Sequence, residues 1–171
     1  SSSLIKNSII LVLATLALIF LYTLIRFKWD FALAAVIAII HDALIMITFL
    51  SWSGLEFTTT SIAAILTIIG YSINATVVIL DRIRYNLKYM PEAKQFNEIL
   101  NKSLSDTLLR SILTTVTTLF AVVALYVFTT GSIKDFALAM IVGLISGMYS
   151  SIFISSGFIS ACRKNWKPEY G

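Results

Sequence analysis

The sequence has very few of the residues that form disulfides, bind metals or carry charge. It contains one cysteine, Cys162, and one histidine, His41, among 171 residues, and only 13% of its residues are charged. A single cysteine excludes an intrachain disulfide and a CxxC site, and a single histidine excludes a multi-histidine metal site. HExxH, GxSxG and phosphate-binding loop motifs are also absent. We therefore expect no enzyme activity, no catalytic residues, no metal, no cofactor and no nucleic-acid partner.

Apolar side chains are abundant instead. Hydrophobic residues make up 58% of the chain, and its mean hydropathy is +0.89. Soluble domains are about 45–50% apolar and about 25% charged. The apolar residues form blocks of about 20, enough to cross a hydrocarbon core. We predict an all-α membrane protein, a bundle of five transmembrane helices in one transmembrane domain over residues 1–171. The predicted spans are 5–25, 31–50, 60–80, 109–128 and 136–161, with a charged loop at 81–108.

Lysine and arginine are concentrated on one side of the predicted membrane, ten against two, with Arg110 left aside because it lies inside a span. The positive-inside rule then predicts that the 81–108 loop and the C-terminal tail lie in the cytoplasm and the N-terminus outside. Residues 1–8 have neither the basic region nor the cleavage site of a signal peptide. An outward N-terminus is unusual for a first span, so we expect a preceding span in a longer protein.

The 81–108 loop carries apolar residues on separate sides, divided by Pro91. Two structures fit this pattern. The loop could lie along the membrane surface as an amphipathic segment. Alternatively, it could be a solvated connector that continues two long helices.

Two predicted spans carry polar residues at helical spacing. These stripes are Thr67, Tyr71, Asn74, Val78 and Asp81 in the third span, and Ser103, Thr107, Arg110, Thr114 and Thr117 in the fourth. Lipid offers no hydrogen bonds, so each stripe should face the bundle interior, a partner subunit or water. The hydroxyl residues could simply hold helices together. Arg110 could extend to the headgroups as an anchor, or serve a function within its stripe.

His41 and Asp42 lie deep in the second span. They lie about eleven residues from the start of the span, which corresponds to a depth of roughly 16 Å, near the midplane of the bilayer. An ionised Asp costs about 2.5–3.5 kcal/mol there, so Asp42 should be protonated, paired or beside water. The two residues could form a hydrogen-bonded pair that fixes helix packing, or they could move protons.

Small residues recur every fourth position in the fifth span. They are Ala139, Gly143, Gly147, Ser151 and Ser155. Such a seam lets another helix approach closely. Its neighbour could be in this chain or in another subunit.

The run 70-GYSINATVVILDRIR-84 closely resembles the signature GYSxNDTVVxxDRIR of SecF-type members of the SecD/SecF family of protein-export membrane subunits. The segments 31–45, 101–119 and 136–155 are similar to the family in the same order. The resemblance implies half of a pseudo-symmetric transmembrane domain of the resistance–nodulation–division type, in the bacterial cytoplasmic (inner) membrane. A first span and a periplasmic domain would precede it. The implied partners are SecD, the Sec channel complex, the lipid membrane and unfolded exported polypeptides, which the family helps to move with the proton gradient.

The resemblance also implies roles for single residues. Arg110 matches an arginine implicated in proton passage. Asn74 and Asp81 match their positions in the signature, and His41 and Asp42 match a His-Asp pair of the family.

Ala75 departs from the family, which has an aspartate there that is thought to carry protons. Three explanations are open. SecD could supply the carboxylate, or Asp42 or Asp81 could have taken over part of the relay. Lastly, Ala75 could be an introduced substitution that locks one state.

Three functions therefore compete. The chain could be a gradient-driven translocation subunit, or a non-conducting scaffold that docks SecD through the seam of the fifth span. A weaker alternative is an exporter half of the same superfamily that moves a small molecule or lipid.

Overall fold

The computed structural model describes residues 2–90 and 95–165, and it consists of helices and short connections. Pro91, which divides the predicted loop, and the tail from residue 166 onwards lie outside the described residues. The helices are α1 (Ser2–Arg26), α2 (Trp29–Ser53), α3 (Thr59–Tyr89), α4 (Phe96–Phe128) and α5 (Ser132–Tyr149), followed by a π-helical turn (Ser150–Ile154, hereafter the π-turn) and α6 (Ser155–Cys162). We call α5, the π-turn and α6 together the last helix.

Five of these helices are long and apolar enough to cross a membrane, with the last helix counted as one. No strand occurs in the ranges 2–90 and 95–165. The predicted class, an all-α bundle of five membrane helices, is confirmed.

Short connections force consecutive helices to lie side by side. Gly54 ends α2 with φ 71°, and Gly131 precedes α5 with φ 66°, a backbone conformation that glycine adopts without strain. α3 begins with a capping box, in which Thr58 and Ser61 each accept the other's backbone N–H. These local signals fix where the chain reverses.

The described parts of the 81–108 loop continue α3 and α4. Helices of 31 and 33 residues are longer than the roughly 20 residues that a bilayer core needs, so their ends extend beyond it. The extensions pack on each other, since Nδ2 of Asn86 donates to Oγ of Ser103 over 2.9 Å. The structure therefore matches the second of the two possibilities given by the sequence. Residues 81–89 and 96–108 form a connector that continues two long helices.

The core has two apolar clusters. One contains Met46, Ile68 and Leu144, and the other contains Phe31, Ile83 and Ile159. Along α3 and the last helix, polar residues separate the two clusters. α1 lies at the edge of the bundle, with many apolar side chains exposed as expected for a helix facing lipid.

The predicted seam lies inside this bundle. A Cβ on Gly143 would overlap Cγ1 of Ile68 and come within 3.0 Å of Sδ of Met46. Gly147, Ser151 and Ser155 are buried as well. The helices that approach the seam are therefore α3 and α2 of the same chain. A scaffold that docks SecD through these residues does not fit, because they are already covered.

Candidate functional site

Asp42 occupies the centre of a buried polar cluster, which we call the Asp42 cage (Asp42, Ser72, Ser146 and Ser150). The Asp42 side chain is fully buried. Ser72 donates its hydroxyl to Oδ2 over 2.5 Å, and Ser150 donates to the same oxygen over 2.8 Å. Ser146 donates to Oδ1 over 2.9 Å. One carboxylate thus links α2, α3 and α5.

His41 is the titratable neighbour of the cage. Its Nδ1 lies 3.2 Å from Oδ1 of Asp42, and its side chain is 29% exposed. The structure gives Asp42 hydrogen-bonding partners on both carboxyl oxygens. These contacts compensate for the removal of the carboxyl group from water. A role of this pair in proton movement stays a prediction.

The π-turn begins at the cage. Ser150, its first residue, also lies 3.1 Å from the backbone oxygen of Gly147 and so has a second acceptor within its own helix. Ser151 is buried too and accepts a hydrogen bond from Thr76 over 3.2 Å. π-helical turns inside α-helices frequently mark functional sites. Here the turn places two consecutive serines against α2 and α3.

A second polar region lies on a different face of α3, between α3 and α4. We call it the Arg110 groove. It is a cavity of about 100 Å³, lined by Tyr71, Asn74, Ala75, Val78, Arg110, Ser111 and Thr114. A larger cavity of about 480 Å³, the vestibule, adjoins it. The vestibule is lined by Val78, Asp81, Arg82, Tyr85, Asp106, Thr107 and Arg110. Arg110 lines both cavities.

Most of the two predicted stripes points out of this bundle. Thr67, Asn74 and Asp81 of α3 are exposed, as are Arg110, Thr114 and Thr117 of α4, whereas Ser103 and Thr107 are buried. Thr67 and Thr117 donate to backbone oxygens of their own helices. Within residues 2–90 and 95–165, Asn74 and Arg110 have no hydrogen-bond or ion-pair partner. The exposed part of the stripes therefore does not face the interior of this bundle, and its contact with a partner subunit or water stays a prediction.

The structure brings Arg110, Asn74 and Asp81 to this face but keeps His41 and Asp42 away from it. Asp42 lines neither cavity, because Ser72 holds it on the other side of α3. Asp81 lines the vestibule and pairs with Nη2 of Arg26 over 3.6 Å, with both side chains more than half exposed. Ala75 places a methyl group in the Arg110 groove. The carboxylates near Arg110 are thus those of the vestibule.

Sequence reasoning missed several members of both regions. The cage serines Ser72, Ser146 and Ser150 were not predicted as site residues, although Ser146 and Ser150 stand four residues apart on one helical face. In the vestibule, Arg82 and Asp106 were also missed. The signal for Asp106 was its position four residues before Arg110 on α4.

Comparison with known proteins agrees with this architecture. Residues 1–165 match the family described as protein export membrane protein SecD/SecF, C-terminal. The chain is 52% identical over 160 residues to protein translocase subunit SecF of Treponema pallidum, covering 94% of this chain and 38% of that protein. It is 50% identical over 156 residues to SecF of Borreliella burgdorferi, covering 91% of this chain and 52% of that protein.

The structural comparison points the same way. A crystal structure of SecDF from Thermus thermophilus, described as a translocon-associated membrane protein, superposes with a TM-score of 0.89 at 42% identity. The match covers 93% of this chain and 22% of that one. The chain thus spans between about a fifth and a half of the length of these relatives.

Proposed function

Because the chain belongs to the SecD/SecF family of protein export membrane proteins, we propose that it is the membrane part of a SecF-type subunit of the Sec protein translocase. It is a multi-pass membrane protein. The proposal places it in the bacterial cytoplasmic membrane with its C-terminal tail in the cytoplasm. Its partners would be SecD, the Sec channel and the unfolded polypeptide that is exported.

The face that carries Asn74 and Arg110 is the proposed docking surface for SecD. Both side chains are exposed, and neither has a polar partner in the described part of the chain. Exposing an unsatisfied polar group of this kind to lipid costs on the order of several kcal/mol of free energy, so a polar partner surface is favoured. The Thermus thermophilus relative, named SecDF, supports SecD as that partner, since it joins both names in one chain.

The Arg110 groove is the proposed site of proton passage. The observation that carries this proposal is the position of Arg110, which lines both the groove and the wider vestibule and has no anion paired to it among the described residues. A fixed positive charge at such a junction can stabilise a carboxylate brought by a partner. One proton that crosses 100 mV releases about 2.3 kcal/mol, which can assist export. We infer that SecD supplies the carboxylate that Ala75 lacks.

Arg110→Gln tests the site. Export by the complete translocase would be measured in membrane vesicles with and without a proton gradient. Thr117→Val, on the same exposed stripe, is the matched control, because its hydroxyl bonds only to its own helix. We expect Arg110→Gln to abolish the gradient-dependent part of export and Thr117→Val to preserve it. If both variants respond like the native complex, the proposal that protons pass at Arg110 is wrong.

A non-conducting scaffold is the second candidate, and Ala75 favours it. The groove contains a methyl group where the family signature has a carboxylate. A scaffold would dock SecD through the exposed α3–α4 face, since the seam of the last helix is covered. It would tolerate Arg110→Gln as long as the complex still assembled.

A further inference from the structure

Asp106 of the vestibule is held by basic side chains from two helices. Oδ2 accepts from Nε of Arg82 over 2.9 Å and from Nη2 over 2.8 Å. Oδ1 accepts from Nζ of Lys102, one turn earlier on α4, over 2.9 Å. The Arg82 guanidinium also lies 4.8 Å from the ring centre of Tyr85. The carboxylate is therefore fixed at the wall of the vestibule.

Arg110 shares that vestibule. Asp106 and Arg110 both line it and stand four residues apart on α4. Residues at this spacing are neighbours on a helix face, with Cβ atoms roughly 5–6 Å apart. Arg110 has no ion pair within residues 2–90 and 95–165, whereas Asp106 has two. Asp106 thus stands among three cations, and only Arg82 and Lys102 are bound to it. Asp81, the other carboxylate of the vestibule, is paired with Arg26.

We propose that Asp106 is a positioning residue for Arg110, an anion shared between Arg82 and Arg110. The inference rests on the proposed proton passage at Arg110. In the structure, Arg82 and Lys102 hold Asp106 and leave the Arg110 guanidinium free to meet a partner's carboxylate. When the partner's carboxylate withdraws, the Arg110 guanidinium pairs instead with Asp106, which lies on the same face of α4. This exchange matters because position 75 of this chain is alanine and therefore supplies no carboxylate to Arg110.

Asp106 acts as a fixed charge rather than as a proton carrier. It precedes the predicted span 109–128, and hydrogen bonds from Lys102 and then Arg82 lower the pKa of its carboxyl to about 2. The carboxyl stays ionised as long as the pH remains above that value. Its pairing would be lost only as the pH falls towards about 2, far below the range in which cells work.

Variants at position 106 test the proposal in the complete translocase, with gradient-dependent export as the readout. Asp106→Asn should lower that rate about 2- to 5-fold, the size of one exposed charge interaction. Asp106→Glu keeps the negative charge and should therefore retain most of the native rate. Asp135→Asn, the same change at an exposed position at the start of α5, is the matched control and should have no effect.

A charge exchange separates positioning from simple stabilisation. Arg82→Asp combined with Asp106→Arg keeps an ion pair between α3 and α4 but places a cation beside Arg110. We expect this double variant to remain impaired although it assembles with SecD in normal amounts, as checked by copurification. Full recovery would overturn the proposal, because Asp106 would then only join two helices.

The Arg110→Gln variant separates the two possible failures. If it abolishes the gradient response while Asp106→Asn does not reduce it, the positioning role alone is wrong. If Arg110→Gln itself has no effect, the proton passage is wrong and the positioning role is wrong with it.

Discussion

Oγ of Ser150 lies 2.8 Å from Oδ2 of Asp42, which joins the first residue of the π-turn to the middle of α2. The partners are 108 residues apart in the chain, and both are fully buried. The carboxylate therefore acts as an acceptor that gathers α2, α3 and α5 at one point. The same hydroxyl has the backbone oxygen of Gly147 within reach, so the last helix can satisfy Ser150 without Asp42.

Removing the acceptor should destabilise the bundle in a graded way. Asp42→Ala removes the acceptor of Ser72 and Ser146, whereas Ser150 keeps the backbone oxygen of Gly147. We expect a loss of about 1–3 kcal/mol in the free energy of unfolding. Asp42→Asn keeps one oxygen acceptor and should lose less, nearer the ~0.6 kcal/mol typical of a hydrogen bond between membrane helices. Thermal unfolding of the purified protein in detergent measures both variants. If Asp42→Ala is as stable as the native chain, the cage is not a packing centre.

Gly143→Ala tests the close approach of α5 to α3. The added methyl would overlap Cγ1 of Ile68, so the Ile68 side chain or the helices must shift, at a cost of about 1–3 kcal/mol. Gly157→Ala is the matched control, because no atom outside its own helix lies within 4 Å of the new methyl. It should be neutral or slightly stabilising. Trimming Ile68 to Ala should rescue Gly143→Ala, and equal stability of the two glycine variants would contradict the packing.

Cys162 reports the orientation of the chain without any introduced probe. It is the only cysteine in the sequence and it is exposed. If the tail lies in the cytoplasm, a membrane-impermeant maleimide should label it in inverted vesicles and not in intact spheroplasts. Thr130→Cys in a Cys162→Ser background, in the turn after α4, should give the opposite result. Labelling of Cys162 from outside would reverse the predicted topology.

The proposed SecD surface can be mapped by crosslinking. Asn74→Cys, with Cys162→Ser, should crosslink to SecD in membranes, because Asn74 is exposed on the polar face of α3. Phe153→Cys is the matched control, since Phe153 is 60% exposed on the last helix and has no polar stripe beside it. We expect a crosslink at position 74 only. Crosslinking at position 153 alone would move the interface to the last helix.

The apolar blocks were sufficient to predict the five helices, because a run of about 20 apolar residues has few alternatives to a membrane helix. Their ends were harder to place. Ile83 and Leu100 lie in the predicted loop but are buried where the extensions of α3 and α4 pack together. Such contacts depend on tertiary structure, which hydropathy does not report.

The two polar regions differed in how well the sequence revealed them. Spacing placed Asn74 and Arg110 on helix faces, and the structure brings them to one groove. The serines of the Asp42 cage could not be assigned, because serine in a membrane helix usually bonds to its own backbone. Only the packing of α2 against α5 shows that Ser146 and Ser150 turn to Asp42. The π-turn likewise has no simple sequence signature.

We propose that the Arg110 groove carries protons although position 75 is alanine. The most direct test is gradient-dependent export by the complete translocase with this chain as it stands and with Ala75→Asp. We expect that the native form already responds to the gradient, with SecD supplying the carboxylate that meets Arg110. A response that occurs only with Ala75→Asp, or no response in either form, would contradict it and support the scaffold.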